Sequence, residues 1–363
     1  MRSVAPSLAR WLRREAVAAG VVSFTILASI AAQHFATLDR SRLGSGEAPT
    51  ELALAPGSRH LWAASWDRRS LRMLDAATGA EQGSLGMIRR PFDVAALASP
   101  DAAAFFGRFG GDLCLALASP ERKLEDVCSP VAERIPDPNG GTTRLVPNLL
   151  AIASAPPSSF LAAVAWSGGS GGTASEWGVL RLTPRSEHLE VDASSPRRPF
   201  AGVRRAKGLI VADAATRRVW VTPSSAPLLY ALDPGLAPER EVELPERPSA
   251  LALDGARGRG FVALEGRDEL RVLDAETLAL RAVAKTGHGP VALLLSPDAR
   301  ELWVLLRGDR ALVAVDPATL AERRRIELAG RPWSFACDWA HGRMWVSEPE
   351  LGQVASLAIG TVP

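Results

Sequence analysis

The chain has 363 residues, of which 47% are apolar and 23% charged, the balance of a protein with a sizeable buried core. A formal net charge of +2 argues against nucleic acid as the main partner, because phosphate binding needs a concentrated excess of positive charge. Most of that positive charge is arginine, Lys occurring only at Lys123, Lys207 and Lys285.

The first element in chain order is an export segment. Arg2, Arg10, Arg13 and Arg14 precede the run AVAAGVVSFTILASIAA from Ala16 to Ala32, and Ser29-Ile30-Ala31 offers small residues before a cut at Ala32. The run is a little long for a signal core and a little short for a membrane span, so both a cleaved signal and a retained anchor stay open. In either case the arginines hold the N-terminus in the cytoplasm and the rest is expected outside it, in the periplasm or another extracytoplasmic compartment. Residues 1–35 are therefore read as signal peptide or membrane anchor, and 36–363 as one folded unit.

Within 36–363 a motif recurs. Pro49, Trp62 and Asp75 open the series, with the aromatic thirteen residues after the proline and the aspartate thirteen further on. Around Pro91 the match needs two extra residues in the first strand, which then aligns Ser99-Pro100-Asp101 with Ser296-Pro297-Asp298 and Phe106 with Trp303. Pro147 and Phe160 keep the first spacing; Lys207, Trp220 and Asp233 keep both without the proline. Pro248, Pro290 and Pro332 stand 42 apart and are followed by Phe261, Trp303 and Trp345. That makes seven units.

Each unit reads as four short strands. In the sixth, VALLL, ELWVLL, ALVAV and RRRIEL are separated by turn-forming SPDAR, RGDR and DPATLAE. Four strands at a period near 42 predict the blade of a β-propeller, here all-β and seven-bladed. The last unit runs out near Ile359 after three strands. HFATLDRSRLGSGEAP, before Pro49, resembles the fourth-strand stretch RRRIELAGRP, so the N-terminus is expected to supply the outer strand of the last blade.

Strands such as WVTP, LWVLL and MWVSE, the hairpins LDAATG, LDPGLA, LDAETL and VDPATL, and the Ser-Pro-Asp turns resemble the YVTN-type seven-bladed propeller family. That family is related to cytochrome d1-like and lactonase-like propellers. The resemblance spans roughly residues 36–360. It implies the fold and leaves activity open, since the family hosts binding proteins, lactonases and cofactor oxidoreductases alike. WD40 repeats share the period, but Trp66-Asp67 follows a second strand and does not close a third.

Loops entering the central strands and loops joining second to third strands meet at one mouth of the ring. Arg90, Arg247 and Arg331 each stand directly before a phased proline, a set that could hold a carboxylate or phosphate. The competing reading pairs each with a neighbouring loop acid, among them Asp67, Asp112, Asp268, Asp309 and Glu348. His288, in TGHGP, is expected at the same mouth; His60 and His341 fall in turns on the opposite face. Inserts at 129–147, 167–177 and 192–206 are expected on the mouth face.

Three cysteines remain. In the VDPATL register, with Val315 facing Ala321, Cys114 maps opposite Cys128, and an exported chain makes that pair a disulfide candidate. Cys337 reads as a small buried hydrophobe. No G-x-S-x-G, H-E-x-x-H or calcium-loop motif occurs in a credible context, and neither a metal nor a cofactor is expected. The sequence thus points to a binding or interaction module for an envelope protein or a small anionic ligand, touching membrane only through its N-terminus. The alternative is a lactonase- or lyase-like enzyme acting on a small anionic substrate at the mouth.

Overall fold

The computed structural model describes residues 50–360, apart from 56, 87–90, 99–100, 108–111, 119–123, 131–132, 137–141, 146–147, 156–157, 168–173, 186–188, 200–207 and 224–225. The export segment, the proposed closing strand and Arg90 lie outside the described residues.

Every sheet is antiparallel, with strands paired in the order they leave the chain. Sheet one runs from Glu51–Ala53 to Glu81–Gly86, sheet two from Pro91–Ala98 to Leu124–Pro130, and sheet three from Asn148–Ala155 to Leu189–Ser194. Sheet four runs from Leu209–Ala212 to Pro238–Glu243, sheet five from Ala250–Asp254 to Leu280–Lys285, and sheet six from Pro290–Leu295 to Glu322–Glu327. These are four-stranded blades, the third with an added short strand, Arg198–Pro199. The seventh repeat unit forms a three-stranded sheet of Phe335–Asp338, Arg343–Glu348 and Gln353–Ala358. Six complete blades are therefore described, against the seven counted in the sequence. The insert after sheet two contains its own hairpin, Glu133–Pro136 with Thr142–Leu145.

The core is divided among the seams between sheets. Seven hydrophobic clusters lie between consecutive sheets, the last joining Ala336, Trp345 and Val354 of sheet seven to Leu52, Leu61 and Leu74 of sheet one. The phased aromatics Trp62, Trp220, Phe261, Trp303 and Trp345 are fully buried and each faces the following sheet. Gly260 is required by this packing: a Cβ there would sit 2.3 Å from the Trp220 ring.

Two phase assignments change. In sheet two, Pro91 pairs with Gly107 and Ala95 with Ala104, the register that elsewhere puts Leu294 opposite Trp303. The phased position is thus Ala104 and not Phe106; sheet two has a tighter first turn, Ala98 pairing with Asp101, and no insertion inside the strand. Phe160 keeps the thirteen-residue spacing but faces back toward sheet two. The seam between sheets three and four is filled instead by Trp177, tilted against Tyr230 with ring centres 4.7 Å apart.

The Asp-x-x-Thr hairpins close on their aspartates. Asp274 Oδ1 accepts from the backbone N–H groups of Glu276 and Thr277 (3.0 and 2.8 Å), and Asp316 Oδ1 from those of Ala318 and Thr319 (2.7 and 3.0 Å). The residue four after the aspartate has positive φ in each: Gly79 (75°), Leu278 (60°) and Leu320 (62°). Leucine tolerates this conformation because Leu278 is buried between sheets four and five, and Leu320 packs at the next seam.

In sheet two the third and outer strands put Cys114 directly opposite Cys128, and Cys114 is disulfide-bonded. The template hairpin is shifted by a bulge, so that Val315 pairs with Glu322 and not Ala321. Cys337 is free and buried, and burial pushes its thiol well above the ordinary range, which makes it inert.

Candidate functional site: the mouth of the ring

The inner strands converge on the axis, and their proline ends open into a cavity of about 700 Å³. Its wall is apolar where inner strands contribute, as at Ile210, Leu251 and Leu293, and charged where the loops between second and third strands reach in. Inner strands of neighbouring blades are tied by side chains that bond across the seam. Ser249 Oγ donates to Pro290 O (2.6 Å), and Ser334 Oγ accepts from Leu52 N–H (3.1 Å). Such ties hold the cavity wall rigid without long side chains.

The most prominent group there is Trp333, directly after the phased Pro332, still 45% exposed. The Arg307 guanidinium lies over its ring at 4.2 Å, and its indole N–H donates to Glu51 Oε1 at 3.3 Å. Arg307 in turn donates to Glu265 Oε1 at 3.0 Å. The aromatic ring of the seventh unit is thus held between two opposite charges, one from sheet six and one from sheet one. Glu246 accepts from Gly266 N–H at 2.8 Å, which fixes the adjacent loop.

Of the sequence candidates, Arg247 lines the cavity. Its pKa is lowered by partial desolvation, opposed by nearby Glu265. Arg331 is not among the lining residues; it lies 3.7 Å from Glu350. His288 also stands outside the lining, on the rim. Its Nδ1 is 2.9 Å from Asp268 Oδ2, while Asp268 Oδ1 accepts from Gly289 N–H at 2.8 Å. That hydrogen bond, with the charges of Asp268 and Asp309, raises the His288 pKa above 6.5. Asp268 thereby latches the loop between sheets five and six. The described histidines on the other face are engaged too, His60 with Gln82 at 2.9 Å and His341 with Asp338 at 2.6 Å. No cluster of His, Cys, Asp or Glu suited to a metal occurs among the described residues.

Trp333 was not among the sequence candidates. Its signal was its place after the phased proline, where four other units carry Thr50, Asn148, Ser249 and Val291 and only unit two has another aromatic, Phe92.

Fold and mouth together define a β-propeller, whose rigid ring presents loops around an axial cavity. No protein-family model matches the chain, and no curated protein matches its sequence. Among solved structures it is similar to the β-propeller domain of Cps50 (Swd1) from Myceliophteria thermophila, with a TM-score of 0.63 and 10% identity over 89% of this chain and 100% of that one. It is also similar to the WD40 β-propeller domain of Doa1, with a TM-score of 0.60 and 11% identity over 90% of this chain and 98% of that one. At such identities the likeness is one of fold. Among the described residues no helix is long and apolar enough to cross a membrane.

Proposed function

We propose that this chain is a non-catalytic interaction module of the cell envelope that engages a protein partner at the mouth of the ring. The observation that carries the reading is Trp333, exposed at the cavity beneath Arg307 and held by Glu51. An exposed tryptophan beside arginine is the composition that dominates binding energy at protein interfaces, and its fixed orientation lowers the entropy cost of association. The mouth's charges favour a protein surface over a small anion. Of the arginines in the cavity wall, Arg307 is paired with Glu265, and the same carboxylate acts on Arg247. The comparisons with two propeller domains support this reading through the fold alone.

The same proposal takes the ring as seven-bladed and YVTN-like. Seven inter-sheet cores support the blade number, and the Asp-x-x-Thr hairpins support the repeat type. Export rests on the basic-then-apolar N-terminal segment.

A photo-crosslinking residue at position 333 of the full chain, expressed in its native cell, tests the interaction. One discrete adduct is expected from position 333, none from position 276 on the opposite face, and loss of the adduct when Arg307→Ala is added. Equal labelling at both positions, or none at 333, would reject the mouth as the interaction surface.

A further inference from the structure

The outer strand of sheet five, Leu280–Lys285, departs from the pattern of the others. Among the described outer strands it alone lacks an acid; Glu81, Glu125, Glu190, Glu239 and Glu322 each stand in one of the rest. It also carries Leu280 (53% exposed) and Val283 (46%), two of the five large hydrophobics exposed among the described residues. A bulge brings Leu280 opposite Leu273 and leaves Val283 opposite Arg271, so both lie on one face of the sheet. Sheets ordinarily charge such edges, because a bare strand edge is a template for pairing with another chain.

The other face of this strand borders a gap in the seam. At three other seams the outer strand supplies a branched side chain at one register position: Leu85 opposite Leu71, Val242 opposite Leu229, and Ile326 opposite Leu312. Each packs against the core of the seam that follows. In sheet five the same position, opposite Leu270, is Ala284, which is not packed into that core. A cavity of about 180 Å³ results, floored by Leu270, Val304, Val313 and Leu320 and rimmed by Lys285 and Arg325.

The backbone of the strand is disposed to bond outward. Thr286 N–H donates inward to Asp268 O at 2.9 Å. By the two-residue alternation of an antiparallel ladder, the N–H groups of Val283 and Lys285 therefore point away from the sheet. No strand pairs with this edge among the described residues.

We propose that this edge is a second interaction surface, separate from the mouth, which takes an extended segment of a protein partner as an added strand. The segment pairs with Leu280–Lys285, seats one aliphatic side chain in the cavity, and lays its alternate side chains on Leu280 and Val283. Cavity size selects a single side chain, since small-molecule sites hold about 300–1,000 Å³. Charge selects its flanks. Arg281 and Lys285 are the strand's only charged residues, and Arg325 stands across the groove. Their pairings with Asp274, Glu269 and Glu322 are exposed and hold weakly, so an acid beside the aliphatic residue fits. A second copy of this chain does not fit. Antiparallel pairing about Val283 would set Arg281 against the second copy's Lys285, like charges directly opposed.

The probe is a fluorescein-labelled peptide of alternating leucine and threonine between aspartates, added to the full chain and followed by anisotropy. Binding is expected to weaken about tenfold or more when lysines replace the aspartates, and by a similar factor in Ala284→Ile. That substitution fills the cavity as Ile326 fills its own seam, and should leave the melting temperature unchanged or raise it. Val283→Pro removes an outward donor but no ladder bond, and should abolish binding. If that variant fails to fold, Ala284→Ile and hydrogen exchange still decide. Amides of Val283 and Lys285 should exchange fast in the free protein and slowly with the peptide bound. No binding, or binding indifferent to Ala284→Ile, overturns the proposal. So do amides already protected in the free monomer, which would assign the edge to this chain's own residues. A concentration-dependent dimer that protects them would assign it to a second copy and overturn the proposal equally. None of these readouts depends on the mouth.

Discussion

The indole N–H of Trp345 donates to the main-chain carbonyl of Ala76 at 3.1 Å, although the two residues stand 269 apart in sequence. The bond joins sheet seven to sheet one, so the two ends of the described chain are held by the contact that elsewhere joins neighbours. Trp220 makes the same bond to Ala275 of sheet five at 3.3 Å. Trp303 does not, and its Nε1 is buried without a partner. The carbonyl in the corresponding place, Ile359 O, accepts from Arg324 instead, whose guanidinium lies over the Trp303 ring at 4.8 Å.

That difference predicts an asymmetry between two identical substitutions. Trp345→Phe strands a buried carbonyl and should lower stability by about 1–3 kcal/mol beyond the lost area. Trp303→Phe removes a donor that is already unpaired, so only the area loss and a weaker cation–π contact should register. Equilibrium urea unfolding of both variants measures this; equal losses would show that the Trp345–Ala76 bond contributes nothing specific.

Gly260→Ala is expected to destabilise the ring by about 1–3 kcal/mol through overpacking, because the added methyl meets the Trp220 ring in a seam with no room to yield. The double variant Gly260→Ala with Trp220→Leu should recover part of that loss. Additive effects of the two changes would place the strain elsewhere.

The repeat was legible in the sequence because the seams demand a bulky aromatic at a fixed strand position, and Trp62, Trp220, Phe261, Trp303 and Trp345 meet that demand. Spacing alone did not reveal which face a residue occupies. Phe160 has the right count from its proline, but a different local register turns it back toward sheet two. Phe106 was aligned with a position that in fact holds Ala104, where Phe160 and Trp166 from the neighbouring sheet supply the bulk. At the mouth, counting placed Arg247 and Arg307 but not Trp333 and Glu265, between which Arg307 lies. Those residues come from three separate loops whose convergence is a property of the closed ring.

Acid should weaken the hairpins. The pKa of Asp274 is lowered chiefly by the Thr277 backbone N–H and further by Arg281; that of Asp316 chiefly by the Thr319 N–H, with Ala318 and Arg323 adding to it. A carboxyl lowered in the folded state contributes stability that is present above its unfolded value, near 3.8, and is lost as pH falls through the folded one. The midpoint of thermal unfolding should therefore drop as pH is taken below about 4. Asp274→Asn with Asp316→Asn should start lower at neutral pH and show a shallower acid slope. An unchanged slope would remove the hairpins from the acid response.

His288 behaves in the opposite sense. Its raised pKa means that its linkage with Asp268 is in place below about pH 6.5 and is lost as pH rises through the higher folded value. NMR titration of His288 should show a midpoint above 6.5 that returns toward it in Asp268→Asn. If that substitution moves no midpoint, the rim latch is not an ion pair in solution.

The last expectation joins structure to compartment. Cys114 and Cys128 are opposed on adjacent antiparallel strands, and Cys114 is disulfide-bonded. The closed loop is short, so the bond should contribute about 3 kcal/mol in the chain-entropy description. A bond of that kind persists in an oxidising compartment and is reduced in the cytosol, so its state in cells reports where the ring resides. Non-reducing peptide mapping of protein taken from the native cell envelope should recover the two cysteines joined. Cys337 should stay unlabelled by maleimide until the ring is unfolded, because burial disfavours its thiolate. Free thiols at both 114 and 128 in that preparation would count against export, and a Cys337 that reacts in the folded protein would show that the seam between sheets six and seven opens.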